Sequence, residues 1–147
     1  MITPTQADQS APSGKWESNV KGIGGVFMKF ENPELVNSWY QQNLGMDVKD
    51  HGYTFYMWRD FEAPSIVHRT VWTAFPSTSE HFGKVEQHVM INYIVEDLDG
   101  FLHELKERGV IQVGEIETYD YGRFAWILDI EGNKVELWEP SATNDSK

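Results

Sequence analysis

Two segments of the chain repeat one order of hydrophobic and polar positions. Residues 24–45 (GGVFMKFENPELVNSWYQQNLG) and 89–109 (VMINYIVEDLDGFLHELKERG) start 65 positions apart, and each begins with a strand-like alternation. A polar residue, an apolar stripe at helical spacing and a glycine then follow in the same order. Because side chains alternate along a strand and recur every three to four positions along a helix, each segment is predicted to form a strand followed by an amphipathic helix.

The ends of both predicted helices carry capping residues. Asn32 and Asp97 stand where an N-cap side chain accepts a hydrogen bond from the first helical turn, and Pro33 takes the first helical position, which tolerates proline. Gly45 and Gly109 follow the last apolar residues, where a left-handed glycine can close a helix. The helices are therefore predicted to end at these two glycines.

Three strand-like stretches follow each helix. They are MDVKD, YTFYMWRD and RTVWTAFP in the first half, and IQVGEIE, RFAWILD and KVELWEP in the second. Each half is therefore predicted to be a βαβββ module, over residues 21–78 and 86–140, and the two modules are expected to pair about a pseudo-twofold axis. Together they form one α+β domain, residues 21–140. The polar residues 1–20 and 141–147 are expected to be flexible tails.

The composition narrows the class of protein. A length of 147 residues suits one domain, and no apolar run approaches the roughly 20 residues that span a bilayer. The net charge of −11 argues against nucleic acid and anionic membranes as partners. The absence of cysteine excludes disulfides, thiolate metal sites and cysteine nucleophiles. The start of the chain lacks the pattern of a signal peptide, so a cytoplasmic protein is expected.

One carboxylate interrupts an apolar strand near the end of the domain. Glu136 stands among Val, Leu and Trp in KVELWEP, just after a predicted Gly-Asn turn. A carboxylate in such a place needs a partner or has a function, because burial without a counter-charge raises its pKa. Three roles stay open for Glu136: a general acid or base, a structural ion pair with Lys29, Arg123 or Lys134, or the counter-ion of a cationic ligand.

Three motifs carry a family resemblance. They are NPELVNSWYQQNLGM, INYIVEDLDGFLHELKERGV and WILDIEGNKVELWEP, in this order within the repeated frame. With them the chain resembles the vicinal oxygen chelate superfamily, which includes glyoxalases, bleomycin resistance proteins and extradiol dioxygenases. The resemblance implies two βαβββ modules curled around a central cavity, and it implies a homodimer. In metal-dependent members, His, Glu or Gln residues of the modules' first and last strands bind a divalent ion in this cavity.

The resemblance places Glu136 at one metal-ligand position and leaves the other positions without ligands. Gly25 and Met90 stand where the first strands would supply histidines, and Trp72 is the residue of the first module that matches Glu136, with Thr73 in its place if the register slips by one. Glycine and tryptophan do not bind metal ions, and a thioether suits hard divalent ions poorly. No metal and no other cofactor is therefore expected.

An atypical metal site is the alternative that stays open. His68 lies at the start of the strand that carries Trp72, and His88 lies two residues before Met90, so that His68, His88 and Glu136 are a candidate set. The remaining histidines, including His81 in a loop between the modules, are expected to be solvated.

The alternating strands assign a set of side chains to the cavity. They are mostly aromatic or apolar with a few polar groups, which is typical of a small-molecule site. The predicted ligand-binding residues are Phe27, Lys29, Trp72, Met90, Asn92, Trp126, Glu136 and Trp138.

The function expected from these residues is metal-independent binding of a small, partly aromatic organic molecule between the two modules. Two alternatives stay open. One is an enzyme of the same superfamily (a lyase, isomerase, cyclase or dioxygenase) with Glu136 as catalytic acid or base or as part of the atypical metal site. The other is a regulatory partner with a vestigial cavity.

Overall fold

The computed structural model describes residues 19–48 and 52–142. Within this part of the chain, each half begins with a strand and a helix and continues with further strands, as the repeat predicts. The elements are β1 (Val20–Phe30), α1 (Pro33–Leu44), β2 (Tyr53–Arg59), β3 (Val67–Pro76), β4 (Val89–Val95), α2 (Leu98–Glu107), β5 (Glu117–Tyr119), β6 (Gly122–Leu128) and β7 (Lys134–Pro140).

The described strands form one sheet in the order β2-β3-β1-β4-β7-β6-β5. The first strands of the two halves, β1 and β4, pair antiparallel at its centre. Each also pairs in parallel with the last strand of its own half, β1 with β3 and β4 with β7. This symmetric pairing brings the first and last strands of both halves together in the middle of the sheet.

Both helices have the predicted N-caps, and α1 has the predicted C-cap, whereas α2 is capped by Arg108, one residue before Gly109. The Asn32 side chain accepts a hydrogen bond from the Leu35 amide at 3.1 Å, and the Asp97 side chain accepts one from the Gly100 amide, also at 3.1 Å. Gly45 closes α1 with a φ of 68°, in the left-handed region that favours glycine. The predicted N-caps and the C-cap of α1 are therefore confirmed.

Two predicted strands differ from the structure. In MDVKD, residues 46–48 are not in a strand and residues 49 and 50 lie outside the described residues. Buried Val48 instead turns back, its amide donating to the Met46 carbonyl at 2.9 Å. IQVGEIE is reduced to an isolated bridge at Gln112 and the short β5, because Gly114, with a φ of 73°, interrupts the extended backbone.

The two faces of the sheet carry separate apolar clusters. On one face α2 packs onto the second half of the sheet, in a cluster of Val95, Leu98, Leu102, Ala125 and Leu137. On the other face Phe82, Met90 and Trp126 form a second cluster, with Phe27 and Phe75 packed against it. Because successive strand side chains point to opposite faces, Glu136 and Trp138 share the face of Trp126, away from α2.

No helix in the described part of the chain is long and apolar enough to cross a membrane. The homodimer implied by the resemblance and the cytoplasmic location both stay predictions. The flexibility of the two tails also stays a prediction, because residues 1–18 and 143–147 lie outside the described residues.

Candidate functional site

A cavity of about 300 Å³ opens on the sheet face away from α2. Five of the eight predicted ligand-binding residues line it: Phe27, Asn92, Trp126, Glu136 and Trp138. They come from strands β1, β4, β7 and β6, whose register places their side chains on one face. The alternation in the second half of the chain is therefore enough to predict this side of the cavity.

Glu136 lies at the bottom of the cavity and is 4% exposed. Its Oε1 accepts a hydrogen bond from Trp126 Nε1 at 2.9 Å, and its Oε2 accepts one from Asn92 Nδ2 at 2.6 Å. Asn92 and Trp126 are the register partners of Glu136 on the two neighbouring strands, so all three side chains point the same way. Two N–H donors thus hold the carboxylate in a fixed orientation.

His81 completes the contacts of this carboxylate. Its Nε2 lies 3.4 Å from Glu136 Oε1, and its ring stacks on Phe75 with the ring centres 5.6 Å apart. The imidazole lines the cavity with about a third of its side chain exposed. The expectation of a solvated His81 is therefore wrong, because the segment between β3 and β4 folds back over the cavity.

Buried contacts fix that segment. Phe82 is fully buried in the cluster with Met90 and Trp126. The Lys134 ammonium donates to the His81 carbonyl at 2.8 Å and lies 5.4 Å from the centre of the Trp126 ring. Burial lowers the pKa of Lys134, although the charge of Glu136 acts in the opposite direction. The buried Phe82 is the one signal in the sequence that marks this segment as part of the core.

Gln87 ties the same segment to β7. Its side-chain oxygen accepts from the Lys134 amide at 2.6 Å, and its side-chain nitrogen donates to the Lys134 carbonyl at 2.8 Å. These two hydrogen bonds resemble those of a backbone pair between β-strands, and they fix the position of the segment against β7. The connection between the two halves is consequently a structural part of the site.

Aromatic rings form one wall of the cavity. Phe124 and Trp138 stack in parallel planes with centres 5.8 Å apart, and Tyr119 and Tyr121 stack at 5.4 Å. Both tyrosines meet Phe124 edge to face. The Tyr119 hydroxyl donates to Glu117, and this hydrogen bond raises the pKa of the phenol. The half-exposed tyrosines place this wall at the mouth of the cavity.

Gly24 allows Asn92 and Trp138 to pack closely against β1 at the bottom of the cavity. A Cβ at this position would collide with Asn92 Oδ1 and approach Trp138 to 2.8 Å. Asn92 Oδ1 is buried and has no hydrogen-bond partner among the described residues. Since a buried carbonyl oxygen without a donor is costly, this atom is an unsatisfied acceptor beside the cavity.

Three of the predicted ligand-binding residues lie elsewhere. Trp72 points to the other face of the sheet, where its ring packs 4.9 Å from that of Tyr40 in α1. The register explains the error: β1 pairs Phe27 with Thr73 in the same way as β4 pairs Asn92 with Glu136. The residue that matches Glu136 is therefore Thr73, and a shift of one position along a strand reverses the face.

Lys29 and Met90 share the cavity face but do not line the cavity. Lys29 is buried, and its ammonium donates to the Val85 carbonyl at 3.4 Å and lies 5.1 Å from the centre of the Phe82 ring. It therefore neither pairs with Glu136 nor extends into solvent. Met90 is fully buried in the cluster with Phe82 and Trp126, so it supports the cavity from beneath.

The donor set around Glu136 does not fit a metal ion. The groups nearest to its two oxygens, Asn92 Nδ2 and Trp126 Nε1, are N–H donors, which cannot act as ligands of a metal ion. His68 Nε2 lies 2.9 Å from Asp60 Oδ2 and its ring centre lies 4.6 Å from that of Trp58, while His88 is exposed. Among the described residues no group of three or more His, Asp and Glu side chains could hold an ion. The proposed set of His68, His88 and Glu136 is therefore not assembled.

Comparisons with known proteins agree on the fold. Methylmalonyl-CoA epimerase from Mycobacterium tuberculosis matches with a TM-score of 0.57 at 21% identity, over 88% of this chain and 94% of that chain. The Streptomyces coelicolor methylmalonyl-CoA epimerase in complex with 2-nitronate-propionyl-CoA matches with a TM-score of 0.62 at 15% identity, over 84% and 99%. A Legionella pneumophila chain described as an NAD-dependent benzaldehyde dehydrogenase matches with a TM-score of 0.50 at 13% identity, over 80% and 98%.

At such identities these likenesses show the fold alone, and the differing descriptions agree with the rule that one fold serves many functions. No curated protein matches the sequence. The family model of the Glyoxalase/Bleomycin resistance protein/Dioxygenase superfamily matches residues 31–137, which is most of the chain. The chain therefore belongs to the glyoxalase/bleomycin resistance protein/dioxygenase superfamily, as the three motifs indicate.

Proposed function

We propose that the protein binds a small organic molecule with an aromatic or conjugated part in the cavity above Glu136, without a metal ion. The observation that carries the proposal is the buried carboxylate, held by Trp126 and Asn92, at the bottom of an aromatic cavity. A volume of about 300 Å³ lies at the small end of ligand pockets, which fits a molecule of one ring with a short substituent.

One observation favours a second candidate function, acid–base catalysis. Two groups that can carry a proton, the His81 imidazole and the Glu136 carboxylate, lie 3.4 Å apart, and both line the cavity. A pair in this arrangement can take a proton from a bound molecule and return it elsewhere. The catalytic role requires turnover that is lost in Glu136→Gln while a bound ligand is still detected.

Filling the cavity tests the binding function. Val71 lines the cavity wall on β3, so Val71→Phe should place added side-chain volume where a ligand would sit. We expect the variant to bind single-ring aromatic fragments at least about tenfold more weakly than the wild type, a loss of about 1.4 kcal/mol. Saturation-transfer NMR against a fragment set of mixed charge measures this, and native mass spectrometry detects any ligand that copurifies.

Val89→Phe is the matched control, because Val89 is a half-exposed residue of β4 that does not line the cavity. The control should bind the same fragments as the wild type. Equal binding by the wild type and Val71→Phe, with both folded by circular dichroism, would show that the fragments bind elsewhere and would overturn the proposal.

A further inference from the structure

The charged residues that line the cavity are acidic. Two carboxylates, Glu117 and Glu136, line it, and none of its described lining residues is Lys or Arg. His81 is the titratable base that faces Glu136 from inside the cavity. Lys134 balances part of the negative charge from nearby, but its ammonium donates to the His81 carbonyl and does not line the cavity. A cationic ligand would therefore find counter-charge here and an anionic one would not.

The hydrogen-bonding groups at the bottom of the cavity are acceptors. Trp126 and Asn92 each use one lone pair of a Glu136 oxygen, and a carboxylate oxygen can accept a second hydrogen bond. Asn92 Oδ1, in a side chain that is 2% exposed, has no donor among the described residues. A ligand group with two or more N–H donors can satisfy the carboxylate and this oxygen together.

The aromatic wall suits the same kind of ligand. The faces of aromatic rings carry negative charge density, and a cation within about 6 Å of a ring centre is attracted to them. The parallel rings of Phe124 and Trp138 offer such a surface beside the carboxylate, and also a surface on which a planar group can stack. An aliphatic anion would gain nothing from this wall.

We infer that the ligand of this cavity is an organic cation with N–H donors, joined to a single aromatic or conjugated ring: an arylalkylammonium or an amidinium. This inference rests on the proposed binding function and names its ligand class. The ammonium or amidinium group lies against Glu136 Oε2 and Asn92 Oδ1, and the ring lies against Phe124 and Trp138. Charge-assisted hydrogen bonds to the buried carboxylate provide the selectivity for the cation.

Three single-ring probes of similar shape and different charge test the inference. Benzylamine is protonated at neutral pH, benzyl alcohol is its neutral counterpart with one donor, and benzoate is an anion. We expect wild-type protein to bind benzylammonium about tenfold more tightly than benzyl alcohol and to show no binding of benzoate. Both benzylammonium and benzyl alcohol can donate to the carboxylate, but only the ammonium adds a positive charge and further N–H donors. Dissociation constants from NMR titration measure the series.

The outcomes separate the ligand class from the binding function. Benzyl alcohol or benzoate binding as tightly as benzylammonium would overturn the cationic class. If none of the three probes binds, but another fragment binds and Val71→Phe weakens that binding, the cationic class fails and the binding function survives. If no fragment binds in a manner that depends on Val71, both proposals fail.

Discussion

Replacing Glu136 by Gln is expected to weaken the binding of benzylammonium about 10- to 100-fold and to leave the free energy of unfolding within about 1 kcal/mol of the wild type. The binding loss follows from the lost charge, because a hydrogen bond to an ionised group contributes about 1.5–3 kcal/mol and a neutral one about 1 kcal/mol or less. Isothermal titration measures the first quantity and urea unfolding the second.

Stability should survive because the neighbouring amide can adapt. The glutamine oxygen can still accept from Trp126 Nε1, while its NH₂ group would replace the Oε2 that accepts from Asn92 Nδ2. A half-turn of the Asn92 amide presents Oδ1 to that NH₂ group, so a new hydrogen bond replaces the lost one and Nδ2 takes the place of Oδ1 as the unsatisfied atom of Asn92. Removal of a buried charge also relieves desolvation.

Glu131→Gln is the matched control for Glu136→Gln. Glu131 is exposed in the turn between β6 and β7, and both substitutions change the net charge of −11 by one unit, so any general effect on cation attraction is shared. The control should bind benzylammonium like the wild type. A fall of about 3 kcal/mol or more in the stability of Glu136→Gln, without a specific effect on binding, would instead show that Glu136 is a structural residue.

Replacing Phe82 by Ala is expected to lower the free energy of unfolding by about 3–5 kcal/mol, a large part of the roughly 5–15 kcal/mol typical of a small domain. Phe82 is fully buried, meets Phe75 edge to face at 5.2 Å, and packs with Met90 and Trp126 beneath the cavity. Its loss leaves a void in this cluster and removes the anchor next to His81. Urea unfolding of the purified variant measures the change.

Phe61→Ala is the matched control for Phe82→Ala, because it makes the same substitution at an exposed position. Phe61 lies in the loop between β2 and β3 and is 97% exposed, so its truncation should change stability by less than about 0.5 kcal/mol. Similar losses from Phe61→Ala and Phe82→Ala would contradict the proposed role of the segment between β3 and β4 as part of the core.

The part of the site that lies in the second half of the chain could be predicted, because short sequence patterns determine the caps and the strand faces there. Asp97 caps α2, the alternation through β4, β6 and β7 is regular, and Asn92, Trp126 and Glu136 therefore fall on the predicted face. The order of motifs is then sufficient to predict the superfamily and the α+β fold.

The first half of the site requires information that the repeat does not contain. When the two halves are aligned at the prolines that end β3 and β7, Trp72 is the residue equivalent to Glu136. The register of the sheet shows that the equivalent residue is Thr73. A one-residue difference of this kind inside a loop leaves no pattern, yet it reverses the face of a strand. The repeat therefore assigns Trp72 to the wrong side of the sheet.

His81 could not be assigned for a different reason. The segment that carries it has no strand or helix periodicity, and its position depends on tertiary contacts through Gln87, Phe82 and Lys134. Such contacts join residues far apart in the chain, as between Gln87 and Lys134, with a separation of 47. In the sequence of this segment, Phe82 is the only residue that indicates packing in the core, and an isolated phenylalanine in a loop is a weak indication.

The most direct test follows the indole N–H signals of the tryptophans in a ¹H–¹⁵N NMR spectrum while the tightest-binding fragment is added. Trp126 Nε1 donates to Glu136 and Trp138 Nε1 donates to the Tyr121 carbonyl at the cavity wall, whereas Trp39 and Trp72 lie near α1. Tryptophan-to-phenylalanine variants assign the signals. A ligand bound above Glu136 shifts the Trp126 and Trp138 signals and leaves those of Trp39 and Trp72 in place. Shifts of Trp39 or Trp72 with Trp126 and Trp138 unchanged at saturation would contradict a ligand site at Glu136.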